Sequence, residues 1–143
     1  EVDNIVGIKD SSGNFDQMLQ YLEATAEKDF KVISGNDSLI LWNLLAGGVG
    51  GIAGCANVYP ENMVAIYENF IRGDLEAARK AQNAIRSFRE VFRFGNPNTV
   101  VKSATALLGY PVGKCRRPFH QLSDEAVREL KKVLEDNKAK GMA

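Results

Sequence analysis

The chain has 143 residues, 45% of them hydrophobic, with 18 basic and 18 acidic side chains. That is the composition of one soluble globular domain long enough to bury most of a core. Balanced charge argues against a dedicated nucleic-acid binder or a polybasic membrane anchor. The longest apolar stretch, Leu39 to Cys55, is interrupted by Asn43 and five glycines, too short and irregular to cross a bilayer. The chain enters an apolar run within four residues, with no initiator Met or signal-peptide pattern, which suggests a start in mid-protein. Cys55 and Cys115 lie far apart without a CxxC spacing, a usage that fits reduced thiols in a cytoplasmic protein rather than a disulfide or zinc framework.

Ile5, Val6 and Ile8 form a β-branched run that predicts a strand ending at Lys9. Asp10-Ser11-Ser12-Gly13-Asn14 follows as a turn, with Asn14 placed to cap a helix. Phe15, Met18, Leu19 and Leu22 recur at helical spacing, and that helix should end near Lys28. Lys31 to Ser34 reads as a second strand closed by Gly35. Asn36-Asp37 then starts a largely buried helix through Leu45. The glycines from Gly47 to Gly51 turn the chain into an expected third strand, Ile52 to Cys55, and Pro60 opens a helix reaching Ile71. Alternating strands and helices with short connections mean right-handed βαβ units and a parallel sheet.

Beyond this the pattern becomes helical. Asp74 should cap one long amphipathic helix ending near Gly95, and Asn96-Pro97-Asn98 reads as a breaker. A helix carrying Val100, Val101, Ala104, Leu107 and Leu108 stops at Gly109. Pro111, Gly113 and Pro118 mark a loop holding Lys114, Arg116 and Arg117, and Ser123 caps a last helix that frays from Lys138. Three parallel strands are few for a sheet needing cover on both faces, so either another chain completes it or a missing part precedes Glu1.

Candidate chemistry centres on Lys9. A lysine at the C-terminal end of a parallel strand, in an apolar wall, can lose its proton through desolvation and attack a carbonyl to give a Schiff base; equally, it can point to solvent. Gly48 to Ala53 matches a loose GxGxxA pattern, but it follows a helix and enters a strand, the reverse of a dinucleotide site, and reads as a tight turn. His120 lacks a second His or a Cys pair and reads as a surface or interface residue. Lys114, Arg116 and Arg117 read as a solvated face in preference to an anion site. Trp42 reads as a core or interface residue.

Gly7-Ile8-Lys9-Asp10-Ser11-Ser12-Gly13-Asn14 resembles the G-[IV]-K-[DE]-x-[ST]-G-[DN] segment of the dihydrodipicolinate synthase/N-acetylneuraminate lyase family, whose lysine forms a Schiff base with pyruvate. Val32 to Asp37, Gly47 to Val58, Asn96-Pro97 through Gly109, and Leu122-Ser123 after an R-x-P segment resemble further family blocks in the same order. The resemblance implies an α/β fold, the C-terminal half of a (β/α)8 TIM barrel. Residues 1–72 would supply its last three βα units and residues 73–143 a helical extension.

By the same resemblance, Lys9 is the imine-forming residue. Gly35 and Ile52 would surround the pyruvate-derived part, and Asp37 and Ser38 would face the rest of the substrate. The implied function is a lyase or aldolase that adds pyruvate to an aldehyde or imine, or releases it. It would need no cofactor or metal and would work as a cytoplasmic homo-oligomer. Sialate lyases carry Asp-Glu where Asp37-Ser38 stand and Gly-Ser-Thr-Tyr-Asn where Ala53 to Asn57 stand. Losing those side chains removes partners for the polyhydroxyl tail of sialate, which disfavours sialate and leaves dihydrodipicolinate synthase or a 2-keto-3-deoxy sugar acid aldolase. The family's tyrosine relay, its carboxylate-binding hydroxyl pair and its arginine for the second substrate have no counterpart here. The alternative is therefore a catalytically incomplete half-barrel that pairs with another copy or another polypeptide.

Overall fold

Gly7–Asp10 (β1), Lys31–Ser34 (β2) and Gly50–Gly51 (β3) pair in parallel, in the order β1-β2-β3, in a computed structural model that describes residues 2–142. Lys9 stands opposite Ile33 and Ile33 opposite Gly50, while Asp10, Ser34 and Gly51 form the next row. Hydrogen bonding continues past the strand ends: the Gly35 N–H donates to the Asp10 carbonyl at 2.6 Å and the Ile52 N–H to the Ser34 carbonyl at 2.8 Å.

The chain divides into two compact units, one formed by residues up to Ala53 with Val64–Gln82, the other by Gly54–Met63 with the residues from Asn83 onward. In the first, alternate strand residues face opposite ways, and helices Phe15–Ala24 (α1) and Ile40–Leu45 (α2) cover one face of the sheet. Val32 and Ser34 are buried on that face, and Met18, Ile40, Leu41 and Leu44 of the helices are buried with them. Gly51 has no side chain because Ile40 takes the space, its Cδ1 lying 2.6 Å from where a Cβ would be. The expected cap of α1 is borne out: the Asn14 side chain accepts from the Gln17 N–H at 3.2 Å.

The second unit is helical. It includes the Gly54–Asn57 turn, helices Arg86–Glu90, Pro97–Leu107 and Asp124–Ala139, and the 3-10 segment Val91–Phe94. Its core holds Tyr59 and Phe88 edge to face at 5.4 Å, with Phe92 against Phe88 at 5.6 Å. Asn137 is buried between two partners: its Nδ2 donates to the Tyr59 hydroxyl at 3.0 Å, and its Oδ1 accepts from the Ser87 hydroxyl at 2.9 Å. Helices Pro60–Ile71 and Leu75–Ala84 have residues in both units. In chain order the helices after α2 are α3 (Pro60–Ile71), α4 (Leu75–Ala84), α5 (Arg86–Glu90), α6 (Pro97–Leu107) and α7 (Asp124–Ala139). Among the described residues, no helix is long and apolar enough to cross a membrane.

Several expected elements are corrected. The third strand lies at Gly50–Gly51, and the expected strand residues from Gly54 onward belong to a 3-10 turn. The first helix stops at Ala24, and the Asn36-Asp37 start leads first into a 3-10 turn, Asp37–Leu39. The long helix expected from Asp74 to Gly95 is three segments, α4, α5 and Val91–Phe94. Its buried residues Ile85, Phe88 and Val91 are spaced by three, and an α-helix turning 100° per residue carries such a stripe out of the core. Breaking the helix and tightening its end to 3-10 geometry keeps all three inside. Asn96-Pro97 starts α6 as cap and first residue, and α7 runs past Lys138 to Ala139, with the Met142 N–H donating to the Asn137 carbonyl at 3.0 Å.

Candidate active site

Lys9 lies on the face of the sheet opposite α1 and α2, in one row with Ile33 and Gly50. It is exposed, and Ile52, two residues beyond Gly50 on the same face, is 53% exposed. The turn after the lysine is held from below. Asp10 is 6% exposed, one carboxylate oxygen accepts from the Ser12 N–H at 2.6 Å, and the other is buried without a partner. The Ser12 hydroxyl accepts in turn from the Asn14 N–H at 3.1 Å. A buried acid that ties down the turn leaves the backbone at Lys9 fixed by β1 pairing on one side and by this turn on the other.

Gly35 adjoins the lysine. A Cβ there would overlap the Ser11 hydroxyl and come within 2.6 Å of the Lys9 Cε and 3.0 Å of the Asp10 carbonyl. The space a side chain would need at position 35 is thus filled first by the Ser11 hydroxyl and next by the lysine stem. Of the other expected site residues, Asp37 is 3% exposed at the start of the 3-10 turn, whereas Ser38 is exposed, its N–H donating to the Asn36 side chain at 3.0 Å. Lys9 and Gly35 are in contact range, Ile52 shares their face, and Asp37 is held within the protein. Among the described residues, no cluster of three or more His, Cys, Asp or Glu could hold a metal ion.

Two positioning residues escaped the sequence reading. Gln82, 4% exposed, donates from Nε2 to the Asp37 carbonyl at 2.8 Å and accepts at Oε1 from the Leu41 N–H at 2.9 Å. It clamps the connection from β2 to α2. Its only sequence signal is a polar residue four after the buried Ala78, on the inward stripe of α4. Asn43, fully buried, donates from Nδ2 to the carbonyls of Val32 and Gly50, both at 3.1 Å, and so ties β3 to β2. Gly48 leaves room for that amide, which a Cβ at position 48 would overlap.

An exposed amine at the end of a parallel strand, with an apolar neighbour and no bulk at position 35, can accept a small carbonyl compound on the open face. The profile of the Dihydrodipicolinate synthetase family matches residues 1–137. The chain is 40% identical over 132 residues to the 4-hydroxy-tetrahydrodipicolinate synthase of Methanospirillum hungatei, covering 92% of this chain and 45% of that protein. For the enzyme of the same name from Archaeoglobus fulgidus the identity is 39% over 134 residues, with 94% and 46% covered. It superposes on dihydrodipicolinate synthase from Thermotoga maritima with a TM-score of 0.88 and 30% identity, covering 96% of this chain and 48% of that one. A prophage protein of the dihydrodipicolinic acid synthase family from E. coli K12, solved in complex with pyruvate, gives a TM-score of 0.86 at 27% identity, with 94% and 47% covered. The chain spans about half the length of the curated relatives it matches. With that profile spanning its three strands and its helices alike, the chain belongs to the dihydrodipicolinate synthetase family, as the C-terminal half of its (β/α)8 barrel.

Proposed function

We propose that Lys9 is the imine-forming residue of a pyruvate-dependent lyase, of the 4-hydroxy-tetrahydrodipicolinate synthase type named for the relatives. The single observation that carries this reading is the Lys9 side chain on the open face of the sheet, its stem in the space left by Gly35. In this reading the Lys9 Nζ attacks the keto carbon of pyruvate, and loss of water leaves an iminium. Loss of a methyl proton gives an enamine, whose carbon adds to an aldehyde or imine; hydrolysis then frees the lysine. Ile52 lies against the pyruvate methyl, Gly35 keeps the approach clear, and the exposed Ser38 borders the second substrate, with the buried Asp37 beside it in the chain. The whole enzyme works as a cytoplasmic homo-oligomer.

A second reading rests on the coverage of under half of each relative. The proton relay and the carboxylate clamp would then come from another polypeptide, and this chain would contribute only the lysine. Borohydride trapping with pyruvate separates the two. The first reading expects one reduced pyruvate per chain, lost in Lys9→Ala. The second expects no adduct from the chain alone at millimolar pyruvate.

A further inference from the structure

The loop that read as a solvated face has an additional partner in the fold. Within the second unit, Lys102 of α6 lines the same cavity as Arg116 and Arg117, together with Asn57 and Asn98. The cavity holds about 450 Å³ and has no acidic residue in its lining. Lys102 meets the loop directly, its Nζ donating to the Lys114 carbonyl at 3.3 Å. Elsewhere, Arg72 pairs with Glu68 at 3.1 Å and Arg86 with Glu90 at 3.6 Å, while Arg89 and Arg93 lie over the rings of Phe92 and Phe94. Among the described residues, Lys102, Arg116 and Arg117 form no ion pair, and the Asn98 side chain is exposed at the same cavity.

Three cations lining one cavity without a counter-charge repel one another, and a concave surface concentrates their field. Bringing them together costs free energy that an anion returns. Guanidinium forks match the oxygens of phosphate and carboxylate, while a lysine and an amide add single donors. We propose that this cavity is a binding site for a small multiply charged oxyanion, a phosphate or polycarboxylate compound, separate from Lys9. Arg116 and Arg117 grip the anion, Lys102 adds charge from α6, and Asn98 donates a neutral hydrogen bond.

Isothermal titration with inorganic phosphate and with citrate, at constant ionic strength set by chloride, tests it. The expected result is saturable binding of at least one of the two, weakened about tenfold or more in Arg116→Gln/Arg117→Gln and unchanged in Lys9→Ala. Phosphate alone, citrate alone or both binding identifies which oxyanion the site takes. Both arginines are exposed, so the double variant should fold, and its circular dichroism spectrum should match that of the parent. Asn98→Asp provides an independent check, because a carboxylate in the cavity should weaken binding to a similar degree. Heats that never saturate, or equal affinity in the double-arginine variant, would overturn the proposal.

Discussion

A Cβ added to Gly35 would sit 2.6 Å from Cε of Lys9 and overlap the Ser11 hydroxyl, so the lysine stem and Ser11 together occupy the space that any other residue at position 35 would claim. Position 35 follows β2 and position 9 lies in β1, and the 2.6 Å bond from the Gly35 N–H to the Asp10 carbonyl fixes them in register. Gly35→Ala should therefore displace the amine. Since the far end of a lysine is flexible, the stability cost should be about 1–3 kcal/mol, while borohydride trapping with pyruvate should slow by about tenfold or more. Equal trapping in the folded variant would mean that the lysine does not use this space.

Gln82 should prove to be a structural clamp under the candidate site. Gln82→Ala removes the bonds to the buried Leu41 N–H and to the Asp37 carbonyl, which should cost about 2–4 kcal/mol. The measurement is the denaturant midpoint. A loss below about 0.5 kcal/mol would show that water replaces both bonds.

Tyr59 should give the second unit an alkaline limit. Burial raises the pKa of its hydroxyl above the ordinary 10.0, and the hydrogen bond from Asn137 offsets part of that rise. The folded state therefore holds the phenolic proton more tightly than the unfolded state. This contribution to stability is fully present below the ordinary tyrosine value and is lost as pH rises through the folded-state value. Thermal melts should show a steeper loss above that pH in the parent than in Tyr59→Phe. At neutral pH the variant should be less stable by about 1 kcal/mol, because Asn137 loses its acceptor. Parallel pH profiles would contradict the assignment.

What side-chain chemistry alone dictates was legible in the sequence. The turn after Lys9, the Asn14 cap and the Ser123 cap depend on local hydrogen bonds that residue type announces. The parallel sheet followed from alternation. β3 was misplaced because its two residues are both glycine. Their strand character comes from pairing with β2 and from the Asn43 bond, neither of which has a local signature. The break near Ile85 was hidden for a similar reason: the apolar stripe continues through it, and only the need to keep Ile85, Phe88 and Val91 together in the core shows why the helix must give way. In the candidate site, Lys9 and Gly35 were legible from the motifs they stand in. Gln82 was not, because its partners lie 41 and 45 residues away.

The central claim is that the Lys9 amine forms an imine with pyruvate. Its most direct test is peptide mapping by mass spectrometry after treatment with pyruvate and borohydride. The account predicts one reduced pyruvate, carried by the peptide containing Lys9 and by no other lysine peptide, and absent from Lys9→Arg. Label spread over exposed lysines in proportion to their accessibility, or an unmodified Lys9 peptide at saturating pyruvate, would contradict it.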